Sequence, residues 1–270
     1  MKTENKRSNN SFVNTLSSDF FKLGRMKSVY IGAGIMFFIV LVVFAILFLI
    51  SRDDQESFSA FMTMVFGTGN FSFAFTSISY LDLFIMIIIG IFVGKDFSNG
   101  TMRLAVAKGA DRLQMYFSKL IVLTTLALGY MAGLIVVCGI LSPAFKADEA
   151  FTALTFARLM RTFALSFVTI LSFISVYLMF GFLTRSPGAA LGASFGVYAV
   201  NQFVELIPVI GALANKEIDL AYFPLQQLPF CISDQAMEVG EAMKLLFMPL
   251  AYTLLSSFVG IFTFLKRDIK

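Results

Sequence analysis

Residues 29–50 read VYIGAGIMFFIVLVVFAILFLI, a run of 22 residues without a charged side chain. As a helix this run is about 33 Å long, which matches a hydrocarbon layer of roughly 30 Å. The apolar core of a secretory signal peptide is shorter, about 7–15 residues. We therefore expect Val29–Ile50 to stay in the membrane as the first of several spans.

Five further segments of the chain are long and apolar enough to span, each with at most one charged residue. Hydrophobic residues make up 58% of the 270 residues and charged residues 14%, against roughly 45–50% and about 25% in soluble domains. The sequence predicts an all-α polytopic membrane protein with six transmembrane helices. The five further predicted spans are Phe73–Val93, Phe117–Leu141, Phe163–Leu183, Gly188–Ile207 and Leu245–Phe264.

Charge is distributed unevenly between the segments that join the spans. If the N-terminus is inside, the inner segments and Lys119 carry 15 Lys/Arg and 5 Asp/Glu, whereas the outer segments carry 6 and 10. Basic residues favour the cytoplasmic side of short loops. We therefore expect a plasma-membrane protein with both termini in the cytoplasm. The inner segments are 1–28, 94–116, 184–187 and 265–270, and the outer ones are 51–72, 142–162 and 208–244.

The residues needed for several kinds of chemistry are missing from the sequence. It has no histidine and only two cysteines, Cys138 and Cys231, so it lacks a histidine base or ligand and a disulfide or zinc framework. The string nearest to a Walker A motif, residues 90–96, is one residue too short between its glycines and ends in Asp rather than Ser or Thr. Neither HExxH nor GxSxG occurs. We therefore expect that the protein is not an enzyme and has no catalytic residue, metal or cofactor.

The N-terminal segment has a partial apolar stripe at helical spacing over Ser11–Leu23. This pattern favours a short interfacial helix on the cytoplasmic leaflet. A flexible basic tail is the alternative for this stretch, and it is what we expect for residues 1–10.

The inner segment between the second and third spans predicts a compact elbow. A short helix over Thr101–Lys108 is followed by Gly109, a residue typical of helix C-termini, and Asp111 can cap the next helix. A soluble partner can push on such a shape, although an ordinary basic loop is the alternative. The outer segment 208–244 contains two apolar pieces, Ile218–Phe223 and Leu225–Phe230, which are too short to span. They fit re-entrant or interfacial segments of an outer gate or cap.

Small residues recur at four-residue spacing in three spans. Gly188, Gly192 and Gly196 form a tandem stripe in the fifth span, and shorter stripes occur at Gly129/Gly133 and Gly90/Gly94. This spacing lets helix backbones approach closely in lipid. The stripes serve either packing within one subunit or an interface between subunits, for which the tandem stripe is the best candidate.

Two acids lie in or beside predicted spans, Asp82 and Glu205. Acids inside a membrane face the bundle interior or a wet cavity, because contact with lipid is costly. They either contact a cation or substrate in a central pathway or pair with Arg158, Arg161 or Lys216 at the outer interface.

The order of these features resembles that of type-2 ABC transporter permeases, which include exporters and immunity permeases for antibiotics and bacteriocin-like peptides. The local match covers residues 94–119, and the chain ending Phe264–Ile269 is also similar to the family's basic-acidic tail. This chain has Asp96 where the family more often has Glu, and Gly109-Ala110-Asp111 where it usually has proline and serine before the arginine. The matching residues are Asp96, Gly100, Thr101, Arg103, Leu104–Val106, Arg112 and Lys119.

The resemblance implies a cytoplasmic tail and interfacial helix over 1–28 and a six-helix permease domain over 29–270. It implies a second permease subunit, identical or homologous, and two separate ABC ATPase subunits that dock on the elbow and the interfacial helix. Spans one and five would meet the second permease, and short re-entrant helices would join spans five and six. The candidate coupling residues are Asp96, Gly100, Thr101, Arg103, Lys108 and Arg112. Among them, Asp96 can either cap the turn that leaves the second span or pair with Arg103 or Arg112.

The function implied by this resemblance is export of a hydrophobic or amphipathic substrate, such as a peptide, an antibiotic or a lipid-like molecule. The bilayer is a further partner, and nucleic acid is not expected. Two alternatives remain: a passive channel or membrane scaffold without a motor, and a proton-coupled secondary transporter that uses Asp82 and Glu205.

Overall fold

The computed structural model describes residues 2–53, 81–141, 153–204, 207 and 239–266, and this part of the chain is helical throughout apart from short connections. The predicted all-α class is therefore confirmed for the described residues. The helices are α1 (Lys2–Arg25), α2 (Lys27–Asp53), α3 (Leu81–Ser98), α4 (Thr101–Ala107), α5 (Arg112–Leu141), α6 (Ala153–Thr184), α7 (Pro187–Val204) and α8 (Val239–Lys266).

The N-terminal helix is longer than the sequence pattern predicts. The expected flexible tail over residues 1–10 is wrong from Lys2 onward, because α1 runs unbroken from Lys2 to Arg25. Its first turns contain Lys, Glu, Arg and Asn but neither Gly nor Pro, so nothing in them breaks a helix. Only Met26 separates α1 from α2, and its amide donates to the carbonyl of Leu23 (3.1 Å).

Helix α3 lies in the interior and contacts α2, α4, α5, α6 and α7. Its apolar side chains are buried nearly all the way round, among them Leu81, Ile85 and Ile89. A helix that is hydrophobic on every side belongs in a core rather than at a surface. The bundle is therefore organised around α3.

Glycines allow α7 to approach α3 closely. A β-carbon at Gly94 would lie only 2.7 Å from the backbone nitrogen of Pro187, and one at Gly90 would lie 2.6 Å from a methyl carbon of Leu191. The Gly90/Gly94 stripe thus serves packing within the subunit. Gly133 makes a similar contact with the ring of Phe37, which joins α5 to α2.

Four described helices are long and apolar enough to cross a membrane: Lys27–Ile46, Arg112–Val137, Met160–Thr184 and Met243–Lys266. Large apolar side chains on α2 face outward, including Ile31, Ile35 and Phe38. Such a continuous exposed apolar surface needs lipid or a partner to cover it. The other two predicted spans, Phe73–Val93 and Gly188–Ile207, overlap α3 and α7 and continue into parts of the chain outside the described residues.

The segments predicted to lie inside gather at one end of the bundle. Lys22 at the end of α1 bonds Asp96 near the end of α3, and Arg112 at the start of α5 bonds the last turn of α8. The connection between α6 and α7 lies at the same end, since Gly94 packs on Pro187. This elbow end therefore carries all four predicted inner segments, as far as they are described.

Replacing Gly94 with alanine is expected to destabilise the bundle, because the new methyl group would overlap the backbone of Pro187. Overpacking of this kind costs about 1–3 kcal/mol. Gly129→Ala is the matched control, since nothing lies within 4 Å of a β-carbon at Gly129. Thermal unfolding of both variants in detergent checks this, and equal midpoints would contradict the close approach of α3 and α7.

Candidate functional site

The elbow between α3 and α5 is shaped by two glycines and an aspartate. Gly100 (φ +69°) turns the chain between α3 and α4, and Gly109 (φ +87°) ends the short helix. After α4 the amides of Gly109 and Ala110 donate to the carbonyls of Val106 and Ala105, which is a Schellman C-cap. The carboxylate of Asp111 accepts from the amide of Leu113 (3.1 Å) at the start of α5. The predicted glycine stop and aspartate cap are confirmed.

A buried lysine holds the elbow end together. The ammonium of Lys119 on α5 bonds the carboxylates of Asp96 on α3 and Asp19 on α1, the latter at 3.4 Å. The side chain of Lys119 is 2% exposed and that of Asp19 is 6% exposed. Ser118 donates a further hydrogen bond to Asp19 (2.7 Å). Since a buried ion requires nearby opposite charge, these contacts fix α1 against α3 and α5.

Asp96 is the branch point of this network. It accepts hydrogen bonds from Lys22 (3.2 Å) and from the hydroxyl of Thr101 (2.9 Å) as well as from Lys119. Burial alone would raise the pKa of Asp96, but Lys119, Lys22 and Thr101 outweigh it and hold the pKa below the usual 3.8. The ionised Asp96 carboxylate therefore stabilises the folded state fully above its usual pKa of 3.8, and this contribution is lost as the pH falls through the lowered pKa. Asp96 is therefore ionised at neutral pH.

The predicted pairing of Asp96 with Arg103 or Arg112 is wrong. Its ion pairs are to Lys119 and Lys22, because the packing of α5 and α1 against α3 brings these two lysines beside it. Sequence reasoning also missed Asp19. One signal was available: Asp19 shares a helix face with Leu16 and Leu23, and an acid on the apolar face of an amphipathic helix requires a buried partner.

Helix α4 has one buried and one exposed face. Met102 is 1% exposed and packs into the core, whereas the opposite face presents Arg103, Leu104 and Lys108 to the outside. Leu104 is 57% exposed. An exposed leucine beside two cations is a surface whose chemistry would complement an apolar depression surrounded by acidic residues. We call Arg103, Leu104, Ala107 and Lys108 the elbow face.

Arg112 points away from the elbow face. Its Nη1 donates to the carbonyls of Phe264 (2.9 Å) and Leu265 (3.0 Å) at the end of α8. Its guanidinium also lies 5.8 Å from the centre of the Phe264 ring. Of the candidate coupling residues, Arg103 and Lys108 are thus outward, whereas Asp96, Thr101 and Arg112 make internal contacts.

A cleft of about 420 Å³ opens between α1 and the elbow. Its lining includes polar residues of α1, such as Asn14 and Ser18, and the two lysines Lys22 and Lys108. Met102 and Met115 form an apolar floor. The cleft leaves part of the ion network open to a partner or to solvent.

Asp82 lies inside the bundle, 5% exposed, and accepts a hydrogen bond from the hydroxyl of Tyr177 on α6 (3.0 Å). The predicted pairing at the outer interface gives Asp82 a basic partner, whereas the hydrogen-bond donor in the structure is the neutral phenol of Tyr177. A role for Asp82 in a pathway stays a prediction. Glu205 and the two apolar pieces of the outer segment, Ile218–Phe223 and Leu225–Phe230, lie outside the described residues.

The tandem glycine stripe of α7 is unused within the described part of the chain. Gly188, Gly192 and Gly196 are exposed, and nothing lies within 4 Å of a β-carbon built at any of them. Helix α7 instead packs through its opposite side, where Ala190 and Ser194 are buried. No helix among the described residues therefore packs on the stripe.

These features define a helical protein compatible with several membrane passes, with a charged elbow at one end. The chain belongs to the DUF2705 family, described as a protein of unknown function, which it matches over residues 37–270. Among curated proteins, none matches the chain.

Replacing Lys119 with methionine is expected to lower the free energy of unfolding by about 3–5 kcal/mol, because it leaves Asp19 buried without an ion-pair partner and Asp96 with Lys22 alone. Denaturation in detergent measures this loss. The control is Lys108→Met on the exposed face of α4, for which a change within about 0.5 kcal/mol is expected. Adding Asp19→Asn and Asp96→Asn should recover much of the loss. A Lys119→Met protein as stable as the control would contradict the role of the network.

Proposed function

We propose that this protein is the permease subunit of a type-2 ABC transporter, which exports a hydrophobic or amphipathic substrate with energy from separate ATPase subunits. The observation that carries the proposal is the elbow face, an exposed surface on a short helix that is fixed to several longer helices. Such an element can receive a force from a partner and pass it on without deforming.

The attachments of α4 explain why a push on it would move the bundle. Thr101, at its first position, bonds Asp96, which Lys119 links to α5. Met102 anchors the buried face in the core. Because α4 is joined to α3 and α5 by connections of only two and four residues, a displacement of α4 displaces both of those helices. The exposed cations of α4 would face acids on an ATPase.

The proposed orientation places the elbow end in the cytoplasm. Seven Lys or Arg residues at this end belong to α3, the elbow, α5, the α6–α7 connection and α8: Lys95, Arg103, Lys108, Arg112, Lys119, Arg185 and Lys266. Basic residues near the ends of short loops favour the cytoplasmic side. The N-terminal helix α1, with Phe20 and Phe21 exposed, would lie at the surface of the inner leaflet.

A second permease subunit would pack on the tandem glycine stripe of α7. Support comes from the space over Gly188, Gly192 and Gly196, which nothing in the described part of the chain occupies. The neighbouring Phe195 and Val200 are large and exposed. Small residues beside large apolar ones are typical of helix pairs that approach closely in lipid.

The docking proposal predicts that Arg103→Glu with Lys108→Glu removes the ATPase from the purified complex. Reversing both cations opposes acids on the partner, and like charges across an interface cost several kcal/mol. We expect at least a tenfold loss of co-purifying ATP hydrolysis, since about 1.4 kcal/mol corresponds to a factor of ten. The measurement is affinity purification from native membranes, mass spectrometry of soluble subunits and an ATPase assay.

The control for this experiment is Lys27→Glu with Lys95→Glu. This pair makes the same charge change on exposed residues of α2 and α3, and its ATPase recovery should equal that of the wild type. A wild-type chain that purifies without any nucleotide-hydrolysing subunit would overturn the proposed function. Full recovery with the elbow variant would overturn the docking face alone.

Replacing Gly192 with leucine is expected to dissociate the permease pair, because the side chain would occupy the space required by the facing helix. Gly129→Leu is the matched control on α5, also exposed and open within the subunit. The measurement is the mass of the detergent-solubilised protein by light scattering. An oligomer unchanged by Gly192→Leu would remove the stripe from the interface.

A further inference from the structure

The described part of the last helix, α8, ends in contact with Arg112 at the start of α5. A helix leaves its final carbonyl groups without partners inside the helix. Two of these at the end of α8, those of Phe264 and Leu265, accept from the guanidinium of Arg112. A cation at this position also opposes the negative end of the helix dipole. Arg112 is the first residue of α5 and lies three positions after Gly109, so it moves with the elbow.

An aromatic cluster joins the same helix ends. The ring of Phe264 packs on Phe182 of α6 (4.8 Å between centres) and on Phe97 of α3 (6.2 Å). Tyr116 of α5 completes the cluster at 5.1 Å from Phe182. Phe264, Phe182 and Tyr116 are each at most 1% exposed. Close-packed rings transmit displacement because interiors are dense and hardly compressible.

The other end of α8 is attached differently. Leu245 is 3% exposed and packs with Leu165 of α6, apart from the main core. Between this anchor and the elbow lies Pro249, inside the helix. Proline has no amide hydrogen for the carbonyl four residues earlier, here that of Leu245, and so provides a place where the helix can bend.

We propose that α8 is the output lever of the elbow: Arg112 carries a displacement of the elbow to the inner part of α8, which pivots at Pro249. The inference rests on the proposed function and adds a route that ends in the last span. It assigns Arg112 as a positioning residue that acts within the subunit, in place of the predicted contact with an ATPase. The inner part of α8, from Pro249 to Lys266, is about 26 Å long.

The test is hydrogen–deuterium exchange of the purified permease–ATPase complex, with and without ATP and vanadate. In the wild type, nucleotide should change exchange about threefold or more both in elbow peptides and in α8 peptides around Pro249, because local opening sets exchange. In Arg112→Gln the elbow peptides should still respond and the α8 peptides should not. Arg112→Lys, which retains a cation and a donor, should restore part of the α8 response. Lys266→Gln is the control, since it removes an exposed cation from the same end of α8.

Pro249→Ala provides a second variant that leaves the Arg112 contacts in place. It should abolish the α8 response near the pivot while the elbow response persists. An α8 response in Arg112→Gln equal to that of the wild type would overturn the lever. A wild-type complex in which nucleotide does not change hydrogen–deuterium exchange in the elbow peptides would instead overturn the proposed function. If Arg112→Gln does not fold, Pro249→Ala is the deciding variant, and an α8 response equal to that of the wild type would overturn the lever.

Discussion

The ammonium group of Lys119 between the carboxylates of Asp19 and Asp96 is the interaction on which the elbow end depends. The three groups come from three helices and are nearly withdrawn from solvent. None of these charges is tolerable there alone, because an unpaired buried ion loses several kcal/mol of hydration. The network therefore specifies one arrangement of α1, α3 and α5.

Charge at this end of the bundle has two separate uses. The ion pairs among Asp19, Lys119 and Asp96 hold α1, α3 and α5 together, and only part of this network reaches the cleft beside α1. The cations of the elbow face, Arg103 and Lys108, are exposed on α4 together with Leu104, and Met102 anchors the buried face of this helix. Rigid support and an accessible surface are the two requirements of an element that receives force. The glycines at 90 and 94 add to the rigidity, since they bring α7 against α3 without intervening side chains.

Local signals in the sequence predict the elbow well. Gly109 adopts a left-handed conformation that favours glycine, and Asp111 reaches an amide two residues away, so both features depend only on neighbours in the chain. The stripe over Ser11–Leu23 predicts a helix there, but it treats the apolar residues as one lipid-facing surface. The structure divides them: Leu23 packs inward, whereas Phe20 and Phe21 face outward. That division depends on where α5 lies, which the stripe does not contain.

The sequence by itself determined the helical class, the apolar segments and the uneven distribution of charge. These follow from the thickness of a bilayer and the cost of charge inside it, both of which act on contiguous stretches of chain. Only the tertiary structure decided which charges are buried and what they bind. Asp19 and Lys119 are 100 residues apart, and Arg112 and Phe264 are 152 residues apart. Several lysines and arginines at one end of the bundle are equivalent in charge, so packing alone selects which of them reaches a given acid or carbonyl.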